Sequence, residues 1–298
     1  MNYRTDLAME RTVYPGGLGA GVDVQTHQEE GAEITCVRVE TEVAAQRLGK
    51  AVGTYWTMTH PELPLMTPQE RIRIARRIAQ MLQLMLPPDG DVLVLGLGNR
   101  RMTADALGDR VVSGVLVTRH MQDLVEGGRL RSVCALSPGV LGVTGMETAE
   151  MAAGLVERLH PAAILVVDAL AAMETSHIGT TVQLTDAGIC PGSGVGNHRA
   201  GITRETMHVP VIAVGIPMVV YASTIVRDAL KGILAEGSTD EEAHRMAEHL
   251  TSGVQGDLVV TPRNIDELVA GLADMLALAI NGALHPGFSM EELSDRLH

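Results

Sequence analysis

Three apolar runs constrain this chain more than any other feature. DVLVLG (91–96), AAILVVD (162–168) and PVIAVGI (210–216) are continuous rather than alternating, and Gly, Pro or Asp bounds each of them. A strand with one face in water alternates polar and apolar residues. A run without alternation belongs to a strand covered on both faces. A weaker run at 131–136 (RSVCAL) joins them. Between the runs the apolar spacing turns helical, as over 147–159, which Thr144 and Glu147 are placed to cap. The pattern after Pro217 predicts a helix over 218–235, and a last helix is expected from Asn264 to His285. Buried strands alternating with helices predict an α/β fold, a mostly parallel twisted sheet with helices on both faces.

The N-terminal third reads differently. Residues 33–40 alternate, as a half-buried strand does, and 51–58 can pair with them across a turn near Gly49. These two strands predict a small N-terminal antiparallel β extension. Thr67-Pro68-Gln69-Glu70 has the form of a capping box with proline at the first helical position. Ile72, Ala75, Ile78, Ala79, Leu82 and Leu86 follow it at helical spacing, up to Pro87-Pro88. Residues 236–256 are polar and read as a surface excursion. The whole chain, 1–298, is read as one α/β domain.

Composition narrows the function classes. Aromatics make up 2% of the chain, so the core must be aliphatic, with the 16 methionines filling its gaps. A net charge of −13 argues against direct nucleic-acid binding, which needs a basic patch to displace counterions. Cys36, Cys134 and Cys190 form no C-x-x-C pair and read as reduced thiols of a cytoplasmic protein. No apolar run follows a basic segment at the start, and no uncharged stretch reaches membrane-spanning length. Neither a secretory signal nor a membrane partner is expected.

Ligands of open α/β sheets bind beyond the carboxyl ends of the strands. The loop GLGNRRMTADALG (96–108) has Gly96 and Gly98 of a dinucleotide fingerprint, but Arg101 stands where the third glycine belongs. What this loop delivers is Asp105. Its plain alternative is a first-turn carboxylate facing the helix dipole, with Thr103 as the cap. Asp168 follows an unbroken apolar run, where a carboxylate is desolvated and its pKa rises unless something pairs with it. The plain alternative there is a turn cap. DAGICPGSGVGNHR (186–199) is neither a P-loop nor a nucleophile elbow, yet its backbone N–H groups can hold a peptide or an oxyanion. SPGVLGVTGMET (137–148) is similarly glycine-rich. Glu242, His244, Glu248 and His249 read as a solvated helix face and His120 as structural, so no metal site and no cofactor is predicted.

YRTDLAME, GLGN with TADALG, VTRH, SPGVLGVTGMET, VVDALAAM, DAGICPGSGVGN, VPVIAVGIPMVV and VTPRNIDELVAGLA begin at residue 3 and reach into the last helix. Together they resemble the germination protease family of spore-forming bacteria, endopeptidases that start digestion of small acid-soluble spore proteins. The resemblance implies a hydrogenase-maturation-protease-like fold and a homotetrameric enzyme of the spore core, made as a zymogen. It carries two proposed catalytic aspartates onto Asp105 and Asp168: one ionised and taking a proton from water, the other protonated and donating to the scissile carbonyl. Gly98 and Asn99 of the first loop and Gly192, Ser193, Gly194, Gly196 and Asn197 of the 186–199 loop are the expected substrate-binding residues. The resemblance also implies self-processing between Asp6 and Leu7, releasing residues 1–6 as a short propeptide. That cut matches a preference for an acidic P1, an apolar P1′ and Ala at P2′. The chain departs from the family in having Tyr3 rather than an acid at P4, Cys190 where His is frequent, and a shorter polar excursion. The alternatives are a metal-dependent endopeptidase of hydrogenase-maturation type, with the same carboxylates as ligands, and a non-enzymatic nucleotide- or peptide-binding module.

Overall fold

A computed structural model of the chain describes residues 4–13, 18–124, 130–190, 200–231, 233, 240–251 and 258–295. Nine strands form one sheet: β1 (Val22–Glu29), β2 (Ala32–Val39), β3 (Gly53–Thr59), β4 (Val92–Gly96), β5 (Val133–Leu136), β6 (Ala163–Ala172), β7 (Thr181–Thr185), β8 (Val211–Tyr221) and β9 (Val259–Val260). Their order is β1-β2-β3-β7-β8-β6-β4-β5, with β9 on β8. The predicted apolar runs are β4, β6 and β8, and with β5 they form the parallel part. All five residues of β4 are buried, as its unbroken apolar run requires.

The expectation of a mostly parallel sheet needs refining, because every pairing from β1 through β7 to β8 is antiparallel. The antiparallel part is therefore larger than the predicted extension. β7, TVQLT, is polar by composition yet buried throughout, and it joins the two parts. β2 and β3 pair as expected, but α2 (Glu42–Leu48) fills their connection, capped by Thr41 and closed by Gly49 at φ +69°.

The helices lie on both faces. On one, α3 (Pro68–Met85), α4 (Leu107–Gly114), α10 (Ile265–Leu284) and α11 (Met290–Ser294) share the main core with Val94, Leu165 and Val214 of the sheet. On the other, α6 (Thr148–Leu159) and α7 (Arg204–Met207) pack on Leu93, Ile164 and Val166. α1 (Ala8–Thr12), α5 (Leu141–Thr144), α8 (Ala222–Lys231) and α9 (Asp240–Leu250) complete the set. The capping box at Thr67 and Glu70 forms as read. α10 is long and apolar enough to cross a membrane, yet 78% of that stretch is buried, packed on α3 and α4. Its buried Asn281 is satisfied: Leu116 N donates to Oδ1 at 2.8 Å, and Nδ2 donates to Gly114 O at 2.9 Å.

Three local expectations fail for identifiable reasons. The helix after Pro217 begins only at Ala222, because β8 runs on through the proline. β6 shifts register between Leu170 and Ala171, opposite this point, and such an irregularity accommodates a residue without an N–H. α6 is capped by Glu147 with Glu150, one turn later than a Thr144 box would place it. The 236–256 excursion is not wholly solvated, since Ala243, His244 and Ala247 of α9 are buried on the side that packs against α8.

Candidate functional site

The cleft opens where β4 stops. Gly96 pairs with Val167 of β6, and Leu97 N still donates to Val167 O at 2.8 Å. Past that point the chain leaves the sheet, while β6 continues beside β8 to Ala172. Asp168 is thus one residue beyond its last β4 neighbour, but it lies inside its own strand rather than in a strand-end loop as read from the sequence.

Asp105 returns to the same place from the loop after β4. Gly98, at φ +100°, reverses the chain, and a 3-10 turn over Thr103–Asp105 follows. Asn99 N donates to Asp105 Oδ2 at 2.8 Å. A Cβ at Gly98 would overlap the Asp105 carbonyl oxygen and stand 3.0 Å from Oδ1, so glycine there lets the loop close over Asp105. The plain alternative for Asp105 does not hold. α4 starts at Leu107, its N-cap is Ala106, and Thr103 caps nothing. A Cβ on Gly96 would strike the backbone of Gly108, so that glycine permits close strand–helix packing.

Asp105, Asp168, Gly98 and Asp6 all line one cleft of about 550 Å³. Burial raises the Asp105 carboxyl above its ordinary range, against the Asn99 N–H that favours its charge. Asp168 is pushed up much further, by burial first and then by the charges of Asp105 and Asp6. Ala169 N donates to its Oδ1 at 2.9 Å. Each carboxyl therefore keeps its proton to higher pH than a free aspartate does.

Gly192, Ser193, Gly194, Gly196 and Asn197 lie outside the described residues. The base of their loop is pinned by a bridge in which Ile189 N donates to Ile202 O at 3.0 Å and Ile202 N to Ile189 O at 2.8 Å. Cys190 and Thr203, just inside and outside that bridge, line the cleft. Among the described residues no three His, Cys, Asp or Glu side chains converge as metal ligands.

The N-terminal segment also runs into the cleft. Asp6 N donates to Ala171 O at 2.9 Å, and Ala171 N returns a bond to Asp6 Oδ2 at 2.8 Å. Leu7 is fully buried among Leu170, Ala172 and Val220. Glu10, 2% exposed, anchors α1: it accepts from Met173 N (2.8 Å), Glu174 N (2.9 Å) and the Thr5 hydroxyl, and lies 2.7 Å from His177 Nδ1. Two cleft residues escaped the sequence reading. Lys50 Nζ donates to Asp6 O at 2.9 Å and to Thr5 O at 3.0 Å. Gln183 of β7 donates to Asp6 O at 2.9 Å and accepts from Ala8 N at 2.7 Å. The one available signal was rarity, since lysine supplies only 2 of 23 basic residues, at 50 and 231.

Residues 18–239 match the germination protease family. A germination protease of Caldanaerobacter subterraneus subsp. tengcongensis is 40% identical, covering 100% of this chain and 99% of that protein. Those of Clostridium perfringens (36%; 100% and 99%) and Priestia megaterium (32%; 98% and 94%) are similar along the same length. Among solved structures, a NiFe hydrogenase maturation protease of Thermococcus kodakarensis is 18% identical, with a TM-score of 0.36, over 67% of this chain and 98% of that one. The family match and the germination-protease relatives, on an α/β sheet with an acidic cleft, define a peptidase. The chain belongs to the germination protease family.

Proposed function

We propose that this chain begins the digestion of small acid-soluble spore proteins in the spore core. Asp105, ionised, takes a proton from water, and Asp168, protonated, donates to the scissile amide. The observation that carries this reading is the shared cleft, in which both carboxyls are raised and Asp168 more strongly. Asp168, inside its strand and facing the charges of Asp105 and Asp6, is taken as the acid, and Asp105, whose charged form the Asn99 N–H favours, as the base. Gly98 and Asn99 support Asp105 and, with Gly192, Ser193, Gly194, Gly196 and Asn197, bind the substrate backbone. One peptidase domain spans 1–298, with residues 1–6 as a propeptide removed by the chain itself after Asp6. The preferred cut follows an acidic residue and precedes an apolar residue and Ala, as Asp6, Leu7 and Ala8 do. The active form is a homotetramer of the processed chain, each copy somewhat lighter than the full 31.7 kDa, a size that sedimentation velocity measures.

Asp105→Asn and Asp168→Asn test the chemistry. Each is expected to slow cleavage of a purified spore protein by about 100-fold or more, the range of a lost acid or base. Wild-type rates in both would show the assignment to be wrong.

A further inference from the structure

We infer that Lys50 and Gln183 hold the carbonyl oxygen of the Asp6–Leu7 bond during self-cleavage, as the two donors that receive the charge formed there. The inference rests on the self-processing reading above and adds the groups that polarise the bond. The Asp6 carbonyl oxygen accepts from two side chains at once, Lys50 Nζ and Gln183 Nε2, each at 2.9 Å. The bond is fixed on both sides as well. Asp6 is paired with Ala171 upstream, and Ala8 N is held by the other end of the Gln183 amide downstream. The side chain of Leu7, between them, is buried.

Energetics favours this role over a simple tether. Among the described residues the Lys50 ammonium makes no ion pair, and both its hydrogen bonds run to neutral carbonyls. Burial pulls its pKa down to about 8, with Asp6, Glu10 and Cys190 favouring the charge and Arg11 opposing it. An ammonium desolvated for neutral partners is a poor ground-state bargain. It matches the oxyanion of a tetrahedral intermediate far better, and only interactions that strengthen on the way to that intermediate accelerate a reaction.

The step is hydrolysis. Water adds to the Asp6 carbonyl carbon and passes a proton to Asp105, and the C–O π pair moves onto the oxygen between Lys50 and Gln183. As the C=O re-forms, the C–N bond breaks, and the Leu7 nitrogen leaves with the proton from Asp168. The products are a carboxyl group on Asp6 and an amine on Leu7. The proton gained by Asp105 resets the pair.

The test uses the full chain and follows its mass and N-terminal sequence with time, across pH. Lys50→Met and Gln183→Leu are each expected to slow the appearance of a Leu7 N-terminus by about 100-fold, the effect of losing one oxyanion donor. Lys50→Arg, which keeps the charge, restores much of the rate. The wild-type rate falls with rising pH as Asp168 loses its proton and, above roughly pH 8, as Lys50 does; the Asp168 and Cys190 contributions persist in Lys50→Arg, whereas the Lys50 contribution is lost because the guanidinium stays charged, and this difference between the two profiles is assigned to Lys50. Asp168→Asn separates the two levels. If it processes at the wild-type rate, the self-processing chemistry itself fails. If it is inactive while Lys50→Met and Gln183→Leu process normally, only the present assignment fails. A Lys50→Arg chain as slow as Lys50→Met, with the pH profile unchanged, means a tether and overturns it too. Should Lys50→Met not fold, Gln183→Leu and the pH profile of Lys50→Arg decide.

Discussion

Replacing Gly98 by alanine tests whether the loop after β4 exists to place Asp105. At φ +100° an alanine is strained, at a cost of roughly 1–3 kcal/mol. Its Cβ would also overlap the Asp105 carbonyl oxygen, which is backbone and cannot rotate away. The turn must therefore shift, and the total cost comes to about 2–4 kcal/mol. For a chain of this size each kcal/mol lowers Tm by roughly 2–4 °C, which predicts a fall of about 5–15 °C. Function suffers more, because a shift of about 1 Å in a positioned catalytic group costs on the order of 100-fold in rate. Differential scanning calorimetry and cleavage of a purified spore protein read the two effects. Gly154→Ala is the control: it lies in α6, nothing approaches its Cβ within 4 Å, and alanine there gains about 0.5–1 kcal/mol. A Gly98→Ala enzyme with wild-type rate and an unchanged Tm would refute the reasoning.

Asp168→Asn should raise Tm at neutral pH. The folded state holds the Asp168 proton more tightly than the unfolded state does, so stability falls as pH rises from the ordinary carboxylate range through the raised value. The advantage of the variant must shrink toward acid, and pH-dependent melts that run parallel would contradict this. Glu10→Ala strands the buried N–H groups of Met173 and Glu174, costing on the order of 1–3 kcal/mol each, and should make residues 4–12 accessible to added protease. Protection equal to wild type would count against Glu10 as the anchor. Cleavage of a spore protein should survive a chelator; inactivation reversed by a divalent ion would instead support the metal-dependent alternative.

The parallel part of the fold was legible because burial on both faces leaves an unbroken apolar run, as in β4, β6 and β8. The Thr67 box and the start of α10 at Asn264 were equally plain. β7 was not, since Thr181, Gln183 and Thr185 are polar residues whose burial depends on partners elsewhere. Thr181 Oγ1 lies 3.1 Å from Thr59 Oγ1, and Gln183 grips residues 6 and 8. β1 was missed as an edge strand with four exposed residues in its middle. Pro217 reads as a stop only to someone who cannot see the register shift beside it. In the site, Asp168 stood out because it directly follows an apolar run, and Asp105 because it lies in the loop after one. Lys50 and Gln183 carried no such mark, because what they do depends on a segment more than forty residues away from the nearer one.

The direction of β7 has a consequence for how such an enzyme can change. β8 is parallel to β6 on one side and antiparallel to β7 on the other, so it is a seam between two differently built halves. Asp105 and Asp168 come from the parallel half, while Lys50 and Gln183 come from the antiparallel half. Under the proposed roles, the half that cuts and the half that grips are separate modules meeting at one strand. Grafting β1–β3 and β7 from a relative with another cleavage preference is then a route to altered specificity that leaves the hydrolytic residues untouched.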